Sequence, residues 1–310
     1  MIDIVLTVLL VLILIFVVVI SLGLAHFMSR PKTISDEKAV AELEENGYLN
    51  YYETLPKNDY SVKSFDGYEL FAQFIPGSVE SKNYVLINHG YTSSHYWNAK
   101  YVKIYRELGF NCILYDCRGH GRNQKTYCSL GFREHKDFLC MIEDTYERYG
   151  RDIVLGSHGE SMGSAIQCLA LASKPSIQFV VNDCGFSSLE ELIKEKLRVW
   201  FHLPKFFIWP AFVANSLLYH YSFFKVRPID ALADNRIPIC FIHGMADSFI
   251  SPHHSIRMWQ KTKGYKEIHM IDEAEHAVSV NTDPDKYKQI VLEFLCKIGI
   301  LQIKEQEWIR

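Results

Sequence analysis

The serine in Gly159-Glu160-Ser161-Met162-Gly163 is the residue whose surroundings most clearly indicate chemistry. The pentapeptide follows a short apolar run at 153–157 and opens a helical pattern at 161–172. A serine on such a sharp strand-to-helix turn needs small neighbours, because the backbone passes close by, and a glycine stands two positions to either side. The context predicts that Ser161 is a nucleophile rather than an ordinary helix N-cap.

The hydroxyl of Ser161 needs a base, and the chain has 13 histidines. His276 stands in the loop after the last strand-like run, downstream of the serine. His89, His120 and His158 are alternatives at or near strand ends, but they precede the serine. In the chain order serine, acid, histidine, the base follows the final strand, so His276 is the predicted base.

The acid that orients the histidine should follow a strand between Ser161 and His276. Asp247, in His243-Gly244-Met245-Ala246-Asp247, fits that place. Asp183 ends the preceding strand-like run and is the alternative acid. Its other interpretation is structural, as an acceptor for local backbone amides.

Acyl transfer also needs hydrogen-bond donors aimed at the charge that develops on the carbonyl oxygen. Backbone N–H groups can supply them, and Met162 N–H, next to the nucleophile, is one candidate. The other should come from the loop after the first inner strand. There Asn88-His89-Gly90-Tyr91 places a glycine for close backbone approach and makes Tyr91 N–H the candidate.

Five motifs occur in the order and spacing of one family: His89-Gly90, Asp116-x-Arg118-Gly119-His120-Gly121, Gly159-x-Ser161-x-Gly163, His243-Gly244-x-x-Asp247 and His276. On these residues the chain from about 59 to 300 resembles a serine hydrolase of the α/β-hydrolase superfamily. Within it, the chain is similar to the membrane-anchored bacterial esterase, lipase and serine aminopeptidase-like branch. The resemblance implies catalytic Ser161, Asp247 and His276, oxyanion donors at Tyr91 and Met162, and no cofactor.

One departure from the family pattern is Glu160, where many relatives carry histidine. Glutamate also occurs there in the family, so the expected activity stands. Arg118 in the second motif is expected to be structural rather than to bind substrate.

The remaining segments predict the elements that position these residues. Residues 61–65 and 68–75 are strand-like and joined by Asp66-Gly67, which is typical of a hairpin. Short apolar runs suited to buried strands follow at 84–88, 112–116, 153–157, 179–183, 239–243 and 268–271, and helical patterns separate most of them. The alternation predicts an α/β-hydrolase fold: a mostly parallel central sheet with helices on both faces.

The interval of about 187–227 breaks this alternation inside the predicted hydrolase domain, 59–300. It is rich in aromatic residues, among them Trp209, Phe212 and Tyr219, and carries no strand signal. We predict a small helical cap, in which some aromatic side chains pack on the body and others face an apolar ligand.

Residues 4–25 form an apolar stretch relieved only by Thr7, Ser21 and Gly23. At 1.5 Å per residue such a helix is about 33 Å long, enough to cross a hydrocarbon core about 30 Å thick. A cleaved signal peptide is the alternative, but it normally begins with a positive region, and Asp3 precedes this stretch. We predict a single-pass transmembrane anchor over 1–25.

Arg30, Lys32 and Lys38 follow the span, whereas only the α-amino group precedes it. The positive-inside rule therefore predicts a cell-membrane protein with its catalytic domain in the cytoplasm. Residues 26–58 are predicted to be a juxtamembrane connector without chemistry, and 301–310 a C-terminal tail.

Composition excludes several other functions. The formal net charge of −3 and the lack of a basic block argue against nucleic acid as a partner. The eight cysteines include no Cys-x-x-Cys pair, which argues against a zinc site. Their scattered positions predict buried thiols in a reducing compartment. No phosphate loop, dinucleotide fingerprint or metal motif is present, so no cofactor is expected.

These features predict hydrolysis of a carboxylic ester through an acyl-enzyme, with a small-molecule or lipid-like acyl substrate. A peptidase, thioesterase or acyltransferase could use the same three residues and remains an alternative. A non-catalytic ligand receptor with this fold is a further alternative, which the complete set of candidate catalytic residues disfavours.

Overall fold

Eight strands form one sheet in the computed structural model, which describes residues 1–302. The strands are β1 (Asn58–Lys63), β2 (Glu69–Ile75), β3 (Asn83–Asn88), β4 (Asn111–Tyr115), β5 (Val154–Glu160), β6 (Phe179–Asp183), β7 (Ile239–Gly244) and β8 (Lys266–Ile271). Their order across the sheet is β1-β2-β4-β3-β5-β6-β7-β8. The β1–β2 and β2–β4 pairs are antiparallel and the others parallel, which confirms the predicted mostly parallel sheet.

Helices cover both faces of this sheet. They are α1 (Ile2–Ser29), α2 (Asp36–Glu45), α3 (Leu49–Glu53), α4 (Val102–Glu107), α5 (Glu134–Tyr149), α6 (Met162–Ala170), α7 (Leu189–Phe201), α8 (Ile208–Tyr219), α9 (Pro228–Ala231), α10 (His253–Lys261), α11 (Ser279–Thr282) and α12 (Pro284–Lys297). One hydrophobic core contains Phe138 of α5 and Ile166 of α6, and a second contains Val102 of α4 and Phe294 of α12. Because each sheet face is covered, strands such as β4, β6 and β7 are buried along their whole length, as their apolar runs predicted.

The β1–β2 hairpin has a longer turn than Asp66-Gly67 alone predicted. Lys63 is the last residue of β1 to pair, with Glu69 opposite it. Beyond that pair Ser64 N donates to Tyr68 O at 2.8 Å, and the Ser64 side chain hydrogen-bonds to Asp137 of α5.

The interval between β6 and β7 holds the cap. Its main elements are α7 and α8, joined to one another and to the body by the short 3-10 helices Lys205–Phe207 and Phe223–Lys225. Both helices carry apolar residues towards the body, such as Leu197 and Phe212. The helical cap predicted for about 187–227 is therefore present in the fold.

The first helix, α1, is long and apolar enough to cross a membrane: its most apolar window has a mean hydropathy of 3.5. It continues to Ser29, beyond the predicted end of the span at residue 25. The extension has a physical cause, since its last turn packs on the protein: His26 Nδ1 lies 3.1 Å from Tyr219 Oη, and Cys128 N donates to Ser29 O at 2.7 Å. The predicted connector, 26–58, contains this turn together with α2 and α3. The predicted tail lies outside the described residues from position 303 onward.

Candidate active site

Ser161 lies at the turn between β5 and α6, with φ 55° and ψ −113°. Residues other than glycine rarely adopt such a conformation, so the surrounding packing must hold it. A Cβ atom on Gly159 would lie 2.6 Å from the carbonyl carbon of Gly163, and a Cβ atom on Gly163 would lie 2.3 Å from Asn88 O. Both glycines of the motif are therefore sterically required at this turn.

The three residues predicted as nucleophile, base and acid come together. His276 Nε2 lies 3.0 Å from Ser161 Oγ, and His276 Nδ1 lies 2.7 Å from Asp247 Oδ2. The Phe249 ring packs against the imidazole with the ring centroids 4.7 Å apart. Asp247 is buried, whereas His276 keeps some exposure. One imidazole thus bridges a hydroxyl and a carboxylate with both of its nitrogens.

Asp247 is held by several hydrogen bonds besides the one from His276. Its Oδ1 accepts from Phe249 N at 2.9 Å and from Ile250 N at 2.8 Å, and its Oδ2 lies 3.1 Å from His243 Nε2. Burial alone would raise the pKa of Asp247, but the hydrogen bonds with His243 and His276 hold that pKa well below its ordinary value. The side chain is therefore a carboxylate that can stabilise a protonated imidazole.

The two residues predicted as oxyanion donors lie beside Ser161. A Cβ atom on Gly90 would lie 3.4 Å from Ser161 Cβ, so the loop after β3 passes close to Ser161. Tyr91, Met162 and Ser161 line one cavity. Met162 is the first residue of α6, and the first N–H groups of a helix have no partner within it. The Tyr91 hydroxyl donates to Met28 O at 3.0 Å, at the end of α1.

A buried ion pair lies below the turn. Lys100 Nζ is 2.6 Å from Glu160 Oε2, and both side chains are almost fully buried. Lys100 Nζ also donates to Ala277 O at 2.7 Å, and Ala277 follows His276 with a φ of 62°. The Lys100 ammonium group thus connects the loop of His276 to Glu160, the residue before Ser161. Sequence reasoning missed Lys100, because a lysine in a helical segment ordinarily indicates an exposed position.

Asp183, the alternative acid, has a different setting. Its Oδ2 accepts from Tyr287 Oη at 2.8 Å and from Tyr101 Oη at 3.1 Å, and its backbone carbonyl accepts from Ser161 N at 2.9 Å. Burial raises the pKa of Asp183 to about 6. No hydrogen bond joins it to His276 in residues 1–302. Asp183 therefore supports the turn and does not contact His276.

The alternative histidines are buried and hold the structure around the site. His89 Nε2 accepts from Cys117 N at 2.8 Å, and its ring centroid lies 5.3 Å from that of His120. His158 Nδ1 lies 3.0 Å from Tyr105 Oη. Burial lowers the pKa of His89 and His120 to about 4 and that of His158 to about 3, so all three are neutral at pH 7.

Arg118 is structural, as expected from the sequence. Its Nε donates to Asp137 Oδ2 at 2.7 Å, and its Nη1 donates to Asp66 Oδ2 at 3.0 Å. These partners lie in α5 and in the β1–β2 turn, and the guanidinium is almost fully buried between them.

The cavity in front of Ser161 is apolar, and part of its wall comes from an unexpected source. Cap residues contribute to it, but so does the end of α1, through Leu24, Phe27 and Met28. The other lining residues are Tyr91, Leu130, Met162, Phe186, Leu189, Leu192, Ile193, Lys196, Leu197, Ile208, Ala211, Phe249 and Ile250. Leu24 belongs to the predicted anchor, 1–25, and Phe27 and Met28 belong to the predicted connector, 26–58. Both segments therefore contribute to the cavity, although no chemistry was expected of the connector.

Among residues 1–302, two groups of side chains have donor atoms close enough to share a metal ion, within 4.8 Å of one another. One is Cys184 with Asp247 and His276, and the other is Glu195 with His253 and His254. In the first group, burial raises the pKa of the Cys184 thiol well above its ordinary value, which disfavours the thiolate that a metal would require. Asp247 and His276 already hydrogen-bond each other there.

Comparison with known proteins agrees with this description. Residues 79–204 match the family model for the serine aminopeptidase S33 family. The uncharacterized protein YqkD of Bacillus subtilis is 27% identical over 287 residues, which cover 90% of this chain and 93% of that protein.

Solved structures with a similar fold include two groups of enzymes. The Pyrococcus furiosus esterase Pf2001 superposes with a TM-score of 0.68 and 20% identity, over 87% of this chain and 98% of that one. The Pyrococcus horikoshii acylaminoacyl peptidase superposes with a TM-score of 0.62 and 17% identity, over 84% of this chain and 44% of that one. With the sheet order and the strained serine turn, these matches show that the chain has the α/β-hydrolase fold.

Proposed function

We propose that this protein is a serine hydrolase that cleaves carboxylic esters with an apolar acyl group. The observation that carries the proposal is the chain of contacts from Ser161 Oγ through His276 to Asp247, 3.0 Å and 2.7 Å long, at the wall of an apolar cavity. Hydroxyl, imidazole and carboxylate in this order are the groups that acyl transfer to a serine requires.

In the proposed mechanism Ser161 Oγ attacks the acyl carbonyl while His276 Nε2 takes its proton. The Asp247 carboxylate holds Nδ1–H and stabilises the imidazolium that forms. Backbone N–H groups of Tyr91 and Met162 would donate to the oxyanion of the tetrahedral intermediate. His276 then protonates the departing alcohol, and water, activated by the same imidazole, releases the acid from Ser161.

The cavity lining favours an ester with an apolar acyl chain over an aminopeptidase substrate. A peptide with a free amino terminus would need an acidic side chain to bind its ammonium group. Within residues 1–302 the lining contains no Asp or Glu, and its one charged residue is Lys196. Lys196 Nζ donates to Ser248 O at 2.7 Å. Thioesterase and acyltransferase activities need no such acid and remain alternatives with the same three residues.

We also propose that α1 is a single-pass anchor and that the catalytic domain faces the cytoplasm. The length and apolarity of α1 support the anchor, and Arg30, Lys32 and Lys38 after the span support the orientation. Protease added to intact cells should leave the domain uncut and should digest it after lysis. Digestion in intact cells would show that the domain faces the outside instead.

The catalytic proposal can be tested with detergent-solubilised full-length protein and a fluorophosphonate probe. Wild type should be labelled and Ser161→Ala should not. Ser248→Ala is the matched control, because Ser248 is exposed in the loop beside Asp247 and offers only its backbone carbonyl to Lys196. Labelling that survives in Ser161→Ala would refute the assignment of the nucleophile.

Substrate class can then be tested with p-nitrophenyl esters of increasing chain length, with matched thioesters and aminoacyl amides in parallel. We expect the esters to be cleaved and kcat/KM to rise with chain length until the cavity is filled. Faster cleavage of aminoacyl amides than of any ester would favour the peptidase alternative.

A further inference from the structure

The cap presents an apolar face to its surroundings. Trp209, Val213 and Leu217 lie one turn apart along α8 and are 58%, 52% and 73% exposed. Phe206, just before the helix, is 57% exposed. The opposite side of α8 is also apolar, with Phe212 fully buried. A helix that is apolar on all sides ordinarily has apolar surroundings on all sides, and water would be an unfavourable neighbour for this face.

The position of this face follows from the contacts between α8 and α1. Phe207, at the start of the cap helix, packs edge-on against Phe16, with the ring centroids 6.2 Å apart. At the end of α8, Tyr219 Oη lies 3.1 Å from His26 Nδ1. The two helices therefore run side by side in the same direction, and α8 covers the second half of α1.

The length of α1 places the start of α8 inside a bilayer that α1 crosses. The mostly exposed part of α1, residues 2–19, is about 27 Å long, slightly less than the roughly 30 Å thickness of a hydrocarbon core. The hydrocarbon must then extend at least as far as residue 19, past Phe16. Phe207 lies at the level of Phe16, so the neighbouring Phe206 and Trp209 lie at or below the surface of the hydrocarbon.

We propose that the cap is seated in the membrane leaflet beside α1, with the face formed by Phe206, Trp209, Val213 and Leu217 in contact with lipid acyl chains. The proposal rests on the proposed anchor and does not depend on the chemistry at Ser161. Lipid is the expected partner because this face continues the exposed surface of α1, which needs lipid around it if α1 spans the membrane.

The charges of the cap fit this position. From residue 198 to residue 225 the sequence contains Arg198, Lys205 and Lys225 and no Asp or Glu. Basic side chains at the edge of an apolar surface can extend towards the headgroups, and anionic headgroups attract them. An aromatic residue such as Trp209 is also typical of the membrane interface.

Tryptophan quenching can test the proposal on full-length protein in phosphatidylcholine vesicles whose acyl chains are brominated. Bromine quenches only tryptophans that contact the acyl chains. We expect wild-type emission to be quenched and most of the quenched component to disappear in Trp209→Phe. Trp259→Phe is the matched control, since Trp259 lies in α10 of the body, and it should leave the quenched component unchanged.

Two outcomes would overturn the proposal, and they are distinguishable from each other. If alkaline carbonate releases the protein from the vesicles, the anchor itself is wrong. If the protein resists extraction and Trp209→Phe is quenched as strongly as wild type, the anchor stands but the cap is not in the leaflet. Labelling by the fluorophosphonate probe is measured separately. A protein that is not labelled would contradict the catalytic proposal without affecting the result of the quenching experiment.

Discussion

Glu160 and Lys100 form a buried ion pair directly below the turn that carries Ser161. Their charged atoms are 2.6 Å apart, and Lys100 reaches from there to the carbonyl of Ala277, next to His276. The pair thus joins the end of β5, next to Ser161, to the loop that carries His276. Removal of one partner would therefore affect the fold and the site together.

Lys100→Met should therefore be strongly destabilising. It leaves the Glu160 carboxylate buried without its cation, for which losses of about 3–5 kcal/mol are typical. The midpoint of chemical or thermal unfolding in detergent would measure the loss. In the double variant Lys100→Met/Glu160→Gln the unpaired charge is removed, so much of the stability should return. Equal loss in the single and double variants would show that packing, not charge, is responsible.

Asp247→Asn should lower kcat by about 10⁴-fold with little change in KM. The amide oxygen can still accept from Phe249 N and Ile250 N, so the loop should keep its shape, but the charge that stabilises the imidazolium is lost. Steady-state kinetics with a p-nitrophenyl ester would measure both constants. A fall of less than about tenfold would argue that His276 does not need this carboxylate.

Gly163→Ala should abolish fluorophosphonate labelling and destabilise the protein by about 1–3 kcal/mol. The added methyl group would lie 2.3 Å from Asn88 O, which is backbone and cannot rotate away. Gly23→Ala is the matched control, because nothing lies within 4 Å of its added methyl group. The labelling yield and the unfolding midpoint of the two variants should separate clearly.

Asp183 should make stability depend on pH. Its pKa is about 6 in the fold and 3.8 ordinarily, so between these values the folded protein holds a proton that the unfolded chain has lost. The stabilisation that protonated Asp183 contributes to the fold is about 3 kcal/mol below pH 3.8 and is lost as pH rises through 6. Asp183→Asn cannot titrate, so wild type should gain stability relative to this variant from pH 7 to pH 4. Parallel stability curves for the two proteins across this range would contradict the prediction.

Met28→Trp, a change in α1, should shift ester preference towards shorter acyl chains. Met28 lines the cavity, and a larger side chain would fill part of the space available to the acyl group. Leu22→Trp is the control in the same helix, at a position that is 40% exposed and absent from the lining. The ratio of kcat/KM for long and short p-nitrophenyl esters would measure the shift, and the control should keep the wild-type ratio.

Much of the fold could be predicted from the sequence, because strands buried on both faces and glycines at a sterically closed turn leave strong patterns. Gly159 and Gly163 illustrate this, since each would clash with backbone if it carried a side chain. Asp247 and His276 could be placed from chain order, as each follows a strand of a parallel sheet whose carboxyl ends meet at one edge.

The contacts that cross between distant segments could not be predicted in the same way. Lys100 looks like any helical lysine until the end of β5 and the loop after β8 are seen on either side of it. Likewise, the apolar residues of α1 suit a membrane and a cavity equally well, so the sequence pattern does not reveal that Phe27 and Met28 line the cavity in front of Ser161.

The end of α1 is bonded to the body instead of being linked by a flexible tether. Ser29 O accepts from Cys128 N at 2.7 Å, and Ser29 Oγ lies 2.9 Å from Tyr221 Oη. For a protein anchored through α1, these bonds fix the height of Ser161 relative to the bilayer. If the protein is the proposed hydrolase, only scissile bonds at that height above the midplane could then reach the serine. Lengthening or shortening α1 by one turn would move the reaction by about 5.4 Å along the lipid.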